Sequence, residues 1–153
     1  MSCDVSEIIK ELENDFTVRP YLTALEHLPA KEASLSEFPD WLNSDLVDNL
    51  RKDGITRLYS HQASALKAIN EGRNVVAVTP TASGKTLCYN LPVLDTIIRK
   101  PETRAIYLFP TKALSQDQLG ELYRMIEMLD KPVKTFTYDG DTPVSARSAI
   151  RKQ

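Results

Sequence analysis

Between Asn74 and Ile98 the chain passes from a β-branched run, Asn74-Val-Val-Ala-Val-Thr79, through Thr79-Pro-Thr-Ala-Ser-Gly-Lys-Thr86. It then enters a stretch with Leu87, Leu91, Leu94 and Ile98 on one helical side. No other stretch restricts the fold so tightly. Arg104-Ala-Ile-Tyr-Leu-Phe109 follows as a second buried strand, then a helix from about Ser115 to Leu129, then a third strand, Lys134-Thr-Phe-Thr-Tyr138. Strand, helix, strand, helix, strand predicts right-handed crossovers and a parallel sheet, hence an α/β fold. Pro92 inside the first of these helices is expected to kink it.

Short helices precede this region. Val5, Ile8, Ile9, Leu12 and Phe16 recur at helical spacing, with Ser2 or Asp4 as cap, and Arg19-Pro20 breaks that segment. A second short helix is expected over Tyr21–Leu28. A third begins near Pro39, carries Trp41, Leu42, Leu46, Val47 and Leu50, and ends at Gly54, with Trp41 as a core anchor. Tyr59–Glu71, closed by Gly72, forms a fourth. The texture changes at Gly54, so the chain divides into a helical accessory segment, 1–53, and an α/β domain, 54–153. Charge divides there too. Residues 1–53 hold five Lys and Arg against twelve Asp and Glu, and residues 54–153 hold fourteen against nine. A basic second part is compatible with a polyanionic partner.

The 42% apolar and 26% charged fractions of the 153 residues exclude a disordered tail or a coiled-coil rod. The longest uncharged stretch, Asn74 to Gly84, has eleven residues, against about twenty for a membrane span. Asp4, Glu7 and Lys10 near the start argue against a secretory leader. Cys3 and Cys88 suggest neither a disulfide framework nor a metal site, so a reduced, cytoplasmic setting is expected.

The chemistry is concentrated in Thr79, Pro80, Thr81, Ala82, Ser83, Gly84, Lys85 and Thr86. A strand-to-helix turn of this kind wraps backbone N–H groups around phosphate oxygens, and the helix adds its positive N-terminal end. Gly84 lets the backbone approach, Lys85 supplies a mobile cation, and the Thr86 hydroxyl joins a Mg²⁺ shell. Gln62, 23 residues before Lys85, offers a planar amide that can donate to and accept from an adenine edge, which points to ATP.

The set Tyr-Ser-His-Gln62, Thr79–Thr86, Phe-Pro-Thr-Lys-Ala-Leu114 with Gln116 and Gln118, and Tyr-Asp-Gly-Asp-Thr-Pro143 resembles the first half of a superfamily 2 helicase of DEAD/DEAH type. The resemblance is strongest to the mitomycin repair factor A-like DNA helicases. It covers roughly residues 50–153 and includes Leu-Cys-Tyr-Asn-Leu-Pro-Val-Leu94, a precedent for Pro92. It implies a RecA-like (P-loop NTPase) parallel sheet with helices on both faces, an ATP-dependent helicase working in DNA repair, and a cytoplasmic or nucleoid-associated location. By position it makes Gln62 the adenine-reading glutamine and Thr79–Thr86 motif I, with Lys85 and Thr86 catalytic. Pro110, Thr111 and Lys112 fall in motif Ia, which grips a single nucleic-acid strand; Gln116 just beyond it, and Gly140 in a turn facing that strand, are further nucleic-acid contacts. The first motif glycine is replaced by Thr79. Asp45 stands where many relatives carry an adenine-stacking aromatic, leaving Arg57 and Tyr59 as candidates.

No Asp-Glu-x-His or Asp-Glu-Ala-Asp sequence occurs in the 153 residues. That acidic pair would hold Mg²⁺ and polarise the attacking water. The expectation is therefore the N-terminal portion of a longer helicase, inactive alone. The family's sheet sets other strands between those of motif I and motif Ia, so Asn74–Thr79 is expected to lack ladder partners and the chain to aggregate. A non-catalytic nucleotide- or nucleic-acid-binding module and a small P-loop kinase are the alternative readings.

Overall fold

Asn43 sets where the helix after Trp41 begins. Its side-chain oxygen accepts from the backbone N–H groups of Asp45 (2.9 Å) and Leu46 (3.4 Å), satisfying donors that a helix start leaves over. Pro39, expected at the first helical position, lies instead in the preceding turn, its carbonyl accepting from Leu42 N–H at 3.0 Å. The computed structural model describes residues 4–29, 32–80, 83–127, 129 and 132–152. Its elements are helix α1 (Val5–Asn14), a 3₁₀ turn (Arg19–Tyr21), strand β1 (Leu35–Ser36), α2 (Ser44–Lys52), β2 (Leu58–Tyr59), α3 (Ser60–Asn70), α4 (Lys85–Arg99), α5 (Lys112–Glu127) and α6 (Val144–Ile150).

The chain divides into two compact units, Met1–Glu32 and Ala33–Gln153. In the first, Asp4 caps α1 by accepting from Ser6 N–H at 3.1 Å. The helix expected over Tyr21–Leu28 does not form. Only the 3₁₀ turn at Arg19–Tyr21 is regular, and Tyr21, Leu25 and Leu28 are exposed. A helix that short is unstable in water unless an apolar face finds something to pack on.

The second unit owns the core. Leu42, Leu46, Val47 and Leu50 from the α2 region pack with Leu58, with Leu66 of α3, with Leu91, Leu94 and Ile98 of α4, and with Ile126 of α5. Trp41 lies against this cluster, as its spacing suggests. Thus α2 shares its core with the residues that follow Gly54. Each buried leucine contributes about 1.5–3 kcal/mol. A polar clamp fixes the same junction: the buried Asp95 carboxylate accepts from Asn43 N–H at 2.8 Å and from Arg99 Nε at 2.8 Å, and Arg99 also donates to the Trp41 carbonyl. α4 runs through Pro92 unbroken, the Thr96 hydroxyl donating to the Pro92 carbonyl at 2.7 Å. α5 begins three residues earlier than expected, because the Thr111 hydroxyl accepts from Leu114 N–H at 3.2 Å and so caps it.

Among the described residues the paired strands are β1 and β2, antiparallel, with Leu35 opposite Tyr59 and Ser36 opposite Leu58. Residues 74–79, 104–109 and 134–138, expected as strands of a parallel sheet, join no ladder. A strand exists by its neighbours, and β propensity without a partner leaves an extended segment. Val76, Val78, Ile106 and Leu108 accordingly stand 87–88% exposed. The alternation survives locally. Tyr107 meets Tyr89 of α4 edge-on with ring centroids 5.7 Å apart, and its hydroxyl is pushed up to about 12 by burial and then by Tyr89.

Candidate functional site

α4 opens at Gly84, whose φ of +72° only glycine adopts cheaply. A Cβ there would stand 2.6 Å from Nε2 of Gln62. Glycine is thus required by a protein neighbour as well as by backbone conformation. Gln62 lies in the first turn of α3 and is 2% exposed. Its Nε2 donates to the Gly84 carbonyl at 2.8 Å and its Oε1 accepts from Tyr59 N–H at 2.8 Å. The glutamine expected to read adenine therefore works here as a strut between the start of α3 and the head of α4, with one N–H and one lone pair beyond those bonds.

Four oxygens collect around the Lys85 ammonium: the Pro80 carbonyl at 2.7 Å, the Thr79 carbonyl at 2.9 Å, and the hydroxyls of Thr79 and Ser83 at 3.2 Å each. The two hydroxyls also bond one another at 2.5 Å. Thr79, standing where the motif has glycine, thereby gains a use its sequence position did not predict. Pro80 has no N–H, so it contributes a carbonyl to this ring and no amide to an anion cup. Thr81 and Ala82 lie outside the described residues. A cation poised over the head of a fifteen-residue helix is an anion-attracting arrangement, since an incoming phosphate can replace the loop oxygens as its partner.

The Thr86 hydroxyl donates to Oε1 of Gln118 at 3.2 Å, and the Tyr89 hydroxyl donates to the same oxygen. With its proton turned toward α5, the Thr86 oxygen keeps its lone pairs for a cation, so this side chain fits the Mg²⁺ role. Gln118 was visible in the sequence only as part of a motif. What singles it out is that α5, which begins at Lys112, packs this side chain onto the first turn of α4.

The residues expected to meet nucleic acid form a second group. Lys112 makes an ion pair with Asp141, which holds its amine above the ordinary value, first through that hydrogen bond and then, after an opposing effect of burial, through the charges of Asp141 and Asp139. Gly140 lies beside it, so that a Cβ there would be 4.0 Å from the Lys112 ammonium. Gln116 is exposed one helical turn beyond Lys112 on the same face. The Thr111 hydroxyl accepts from Leu114 N–H to cap α5 and keeps its own proton to donate, and Pro110 is exposed at the helix entry. Asp139 organises the adjoining turn by accepting from Asp141 N–H (2.9 Å) and Thr142 N–H (3.1 Å), which holds its carboxyl below the usual range. Arg147 of α6 clamps that turn through the carbonyls of Thr142 (2.8 Å), Asp139 (2.9 Å) and Gly140 (3.1 Å). Asp141 stands in the sequence only as part of the Tyr-Asp-Gly-Asp turn, and only folding shows it as the ion-pair partner of Lys112.

Known proteins resemble this chain in sequence and in fold. The ATP-dependent helicase YprA of Bacillus subtilis is 43% identical over 148 residues, which cover 97% of this chain and 19% of the relative. The ATP-dependent helicase hrq1 of Schizosaccharomyces pombe is 31% identical over 154 residues, covering 97% of this chain and 14% of the relative. The crystal structure of the DUF1998 helicase MrfA bound to DNA and AMPPNP superposes with a TM-score of 0.83 at 42% identity, covering 98% of this chain and 20% of that one. This chain therefore spans about a fifth or less of the length of these relatives. Residues 59–153 match the DEAD/DEAH box helicase family, and the chain belongs to that family.

Proposed function

We propose that this chain is the ATP-binding first lobe of an ATP-dependent DNA helicase, with the loop Thr79–Thr86 seating the triphosphate. One observation carries the reading: the Lys85 ammonium is gathered over the head of α4 by loop oxygens that a phosphate can displace. MrfA, bound to DNA and AMPPNP in its crystal structure, is the relative that supports both partners. When bound, ATP with Mg²⁺ supplies the anhydride whose cleavage drives movement. The chain's own residues seat it: Lys85 meets phosphate charge, Gly84 keeps the approach open, and Thr86 offers a hydroxyl oxygen whose proton Gln118 holds. Lys112, Gln116 and the turn at Gly140 take a single strand by its phosphates. To the same reading belong the segments 74–79, 104–109 and 134–138, which join no ladder here and are assigned to a RecA-like parallel sheet with further strands between them. The 153 residues carry no acidic pair to polarise water, so binding without turnover is the activity assigned to this chain.

The test is titration of a fluorescent ATP analogue with Mg²⁺, and of labelled single-stranded DNA, into wild type and Lys85→Ala. The expected result is nucleotide affinity reduced at least about tenfold in the variant with DNA affinity retained, a charge-assisted contact having been removed. Equal nucleotide binding by both proteins refutes the loop assignment.

A further inference from the structure

Segment 134–138 ends on an aromatic ring that neither the phosphate loop nor the Lys112 group uses. Exposure alternates along the segment, Phe136 and Tyr138 standing 50% and 51% open while Thr135 and Thr137 are half-buried. The Arg147 guanidinium lies over the Tyr138 ring, its central carbon 5.5 Å from the centroid, a cation–π contact that holds the ring in place. One face of the ring is thereby covered, and its exposure belongs to the other face and the edge. The backbone beside it is fixed as well. Asp139 N–H donates to the Thr142 hydroxyl at 2.9 Å, and Arg147 donates to the carbonyls of Asp139 and Gly140. Gly140 in turn adjoins the Lys112 ammonium. Ring, guanidinium and ammonium thus surround the turn Asp139–Thr142.

We propose that the open face of Tyr138 is a platform on which one base of the bound single strand stacks, the ring being held from its other face by Arg147. This rests on the reading that Lys112, Gln116 and the turn at Gly140 take the strand by its phosphates, and goes beyond it by assigning a contact to a base. Three observations favour Tyr138. A cation for phosphate and a flat ring for a base, set on one turn, are the two elements of a single-strand groove that accepts any sequence. Tyr138 is the last residue of its segment, at the end where an open α/β sheet leaves its ligand crevice, whereas Phe136 lies within the run that the proposed sheet covers with helices. Of the other exposed rings in the second unit, Tyr59 borders the phosphate loop at Gly84, and Tyr123 lies about three helical turns along α5 from Lys112.

The experiment compares wild type with Tyr138→Ala, Tyr138→Phe and Tyr138→Trp, using a labelled oligothymidylate and a strand of abasic sugar–phosphate units of the same length as separate probes. Loss of the ring is expected to weaken oligothymidylate binding by about five- to a hundredfold, the range of an aromatic–base stack. Binding of the abasic strand stays within about twofold, because its contacts are to phosphates alone. Tyr138→Phe keeps wild-type affinity for both probes, since the face and not the hydroxyl makes the contact. In Tyr138→Trp the oligothymidylate, and not the abasic strand, quenches the emission added to that of Trp41. The platform is overturned if Tyr138→Ala binds oligothymidylate as wild type does, or if it loses both probes equally. A wild-type chain that binds neither probe refutes the phosphate reading and the platform with it. Equal binding of the two probes by wild type overturns only the platform.

Discussion

Replacing Gly84 by alanine strikes the point where backbone conformation, a buried amide and the loop meet. The left-handed conformation at φ +72° costs an alanine about 1–2 kcal/mol. The new methyl would stand 2.6 Å from Gln62 Nε2, so the glutamine must withdraw from the Gly84 carbonyl and from Tyr59 N–H. Leaving such buried groups without partners costs about a further 1–3 kcal/mol. Together the substitution should cost about 2–5 kcal/mol and lower the melting temperature by roughly 5–15 °C. Gly72→Ala is the internal control: φ is +75° there, but nothing lies within 4 Å, so only the backbone cost of about 1–2 kcal/mol applies. Thermal melts of both variants separate conformation from collision. Combining Gly84→Ala with Gln62→Ala removes the collision, and the pair should be less destabilised than the sum of the single changes by about 1–2 kcal/mol. If Gly84→Ala melts with Gly72→Ala, or the pair is additive, the glutamine strut is not what excludes a side chain.

Asp141→Asn should release Lys112 and raise affinity for single-stranded DNA about two- to fivefold at low salt, measured by anisotropy. Pairing with Asp141 holds the Lys112 amine above 10.5, so its contribution is complete below that value and fades as pH climbs through the raised one. The gain from Asp141→Asn should therefore be flat across neutral pH; an affinity unchanged at pH 7 contradicts the competition. Asp95→Ala should cost about 2–4 kcal/mol in a denaturant melt, and Asp95→Asn less, because the amide oxygen still accepts from Asn43 N–H. Val78→Lys with Leu108→Lys should slow aggregation, followed by light scattering, while shifting stability by no more than about 0.5 kcal/mol, since these side chains are 87% and 88% exposed. A large fall in melting temperature would show that they pack.

The helices around the loop were legible because their signals are local. Apolar spacing marks α3 and α4, and Gly54 and Gly72 close α2 and α3 with φ of +84° and +75°. The helix expected at Tyr21–Leu28 failed because periodicity proposes a face without saying whether a surface exists to receive it. α5 starts at Lys112 and not at Ser115 because the Thr111 hydroxyl accepts from Leu114 N–H, a cap that helical apolar spacing does not register. The loop residues were found together in sequence, whereas Gln118 and Asp141 were recognisable as partners only after α5 and the 139–142 turn had been folded back.

By itself, the order of residues determined helices α1 to α5, the loop with its lysine and hydroxyls, and the family resemblance, all of which depend on chemistry within a few positions along the chain. Only the tertiary structure decided that Gln62 braces Gly84, that Leu35 stands beside Tyr59, that Lys112 faces Asp141, and that the segments 74–79, 104–109 and 134–138 join no ladder. Each of these depends on which distant backbone arrives alongside, and hydrogen bonding across a ladder or a buried amide carries no trace in the residues of one strand alone.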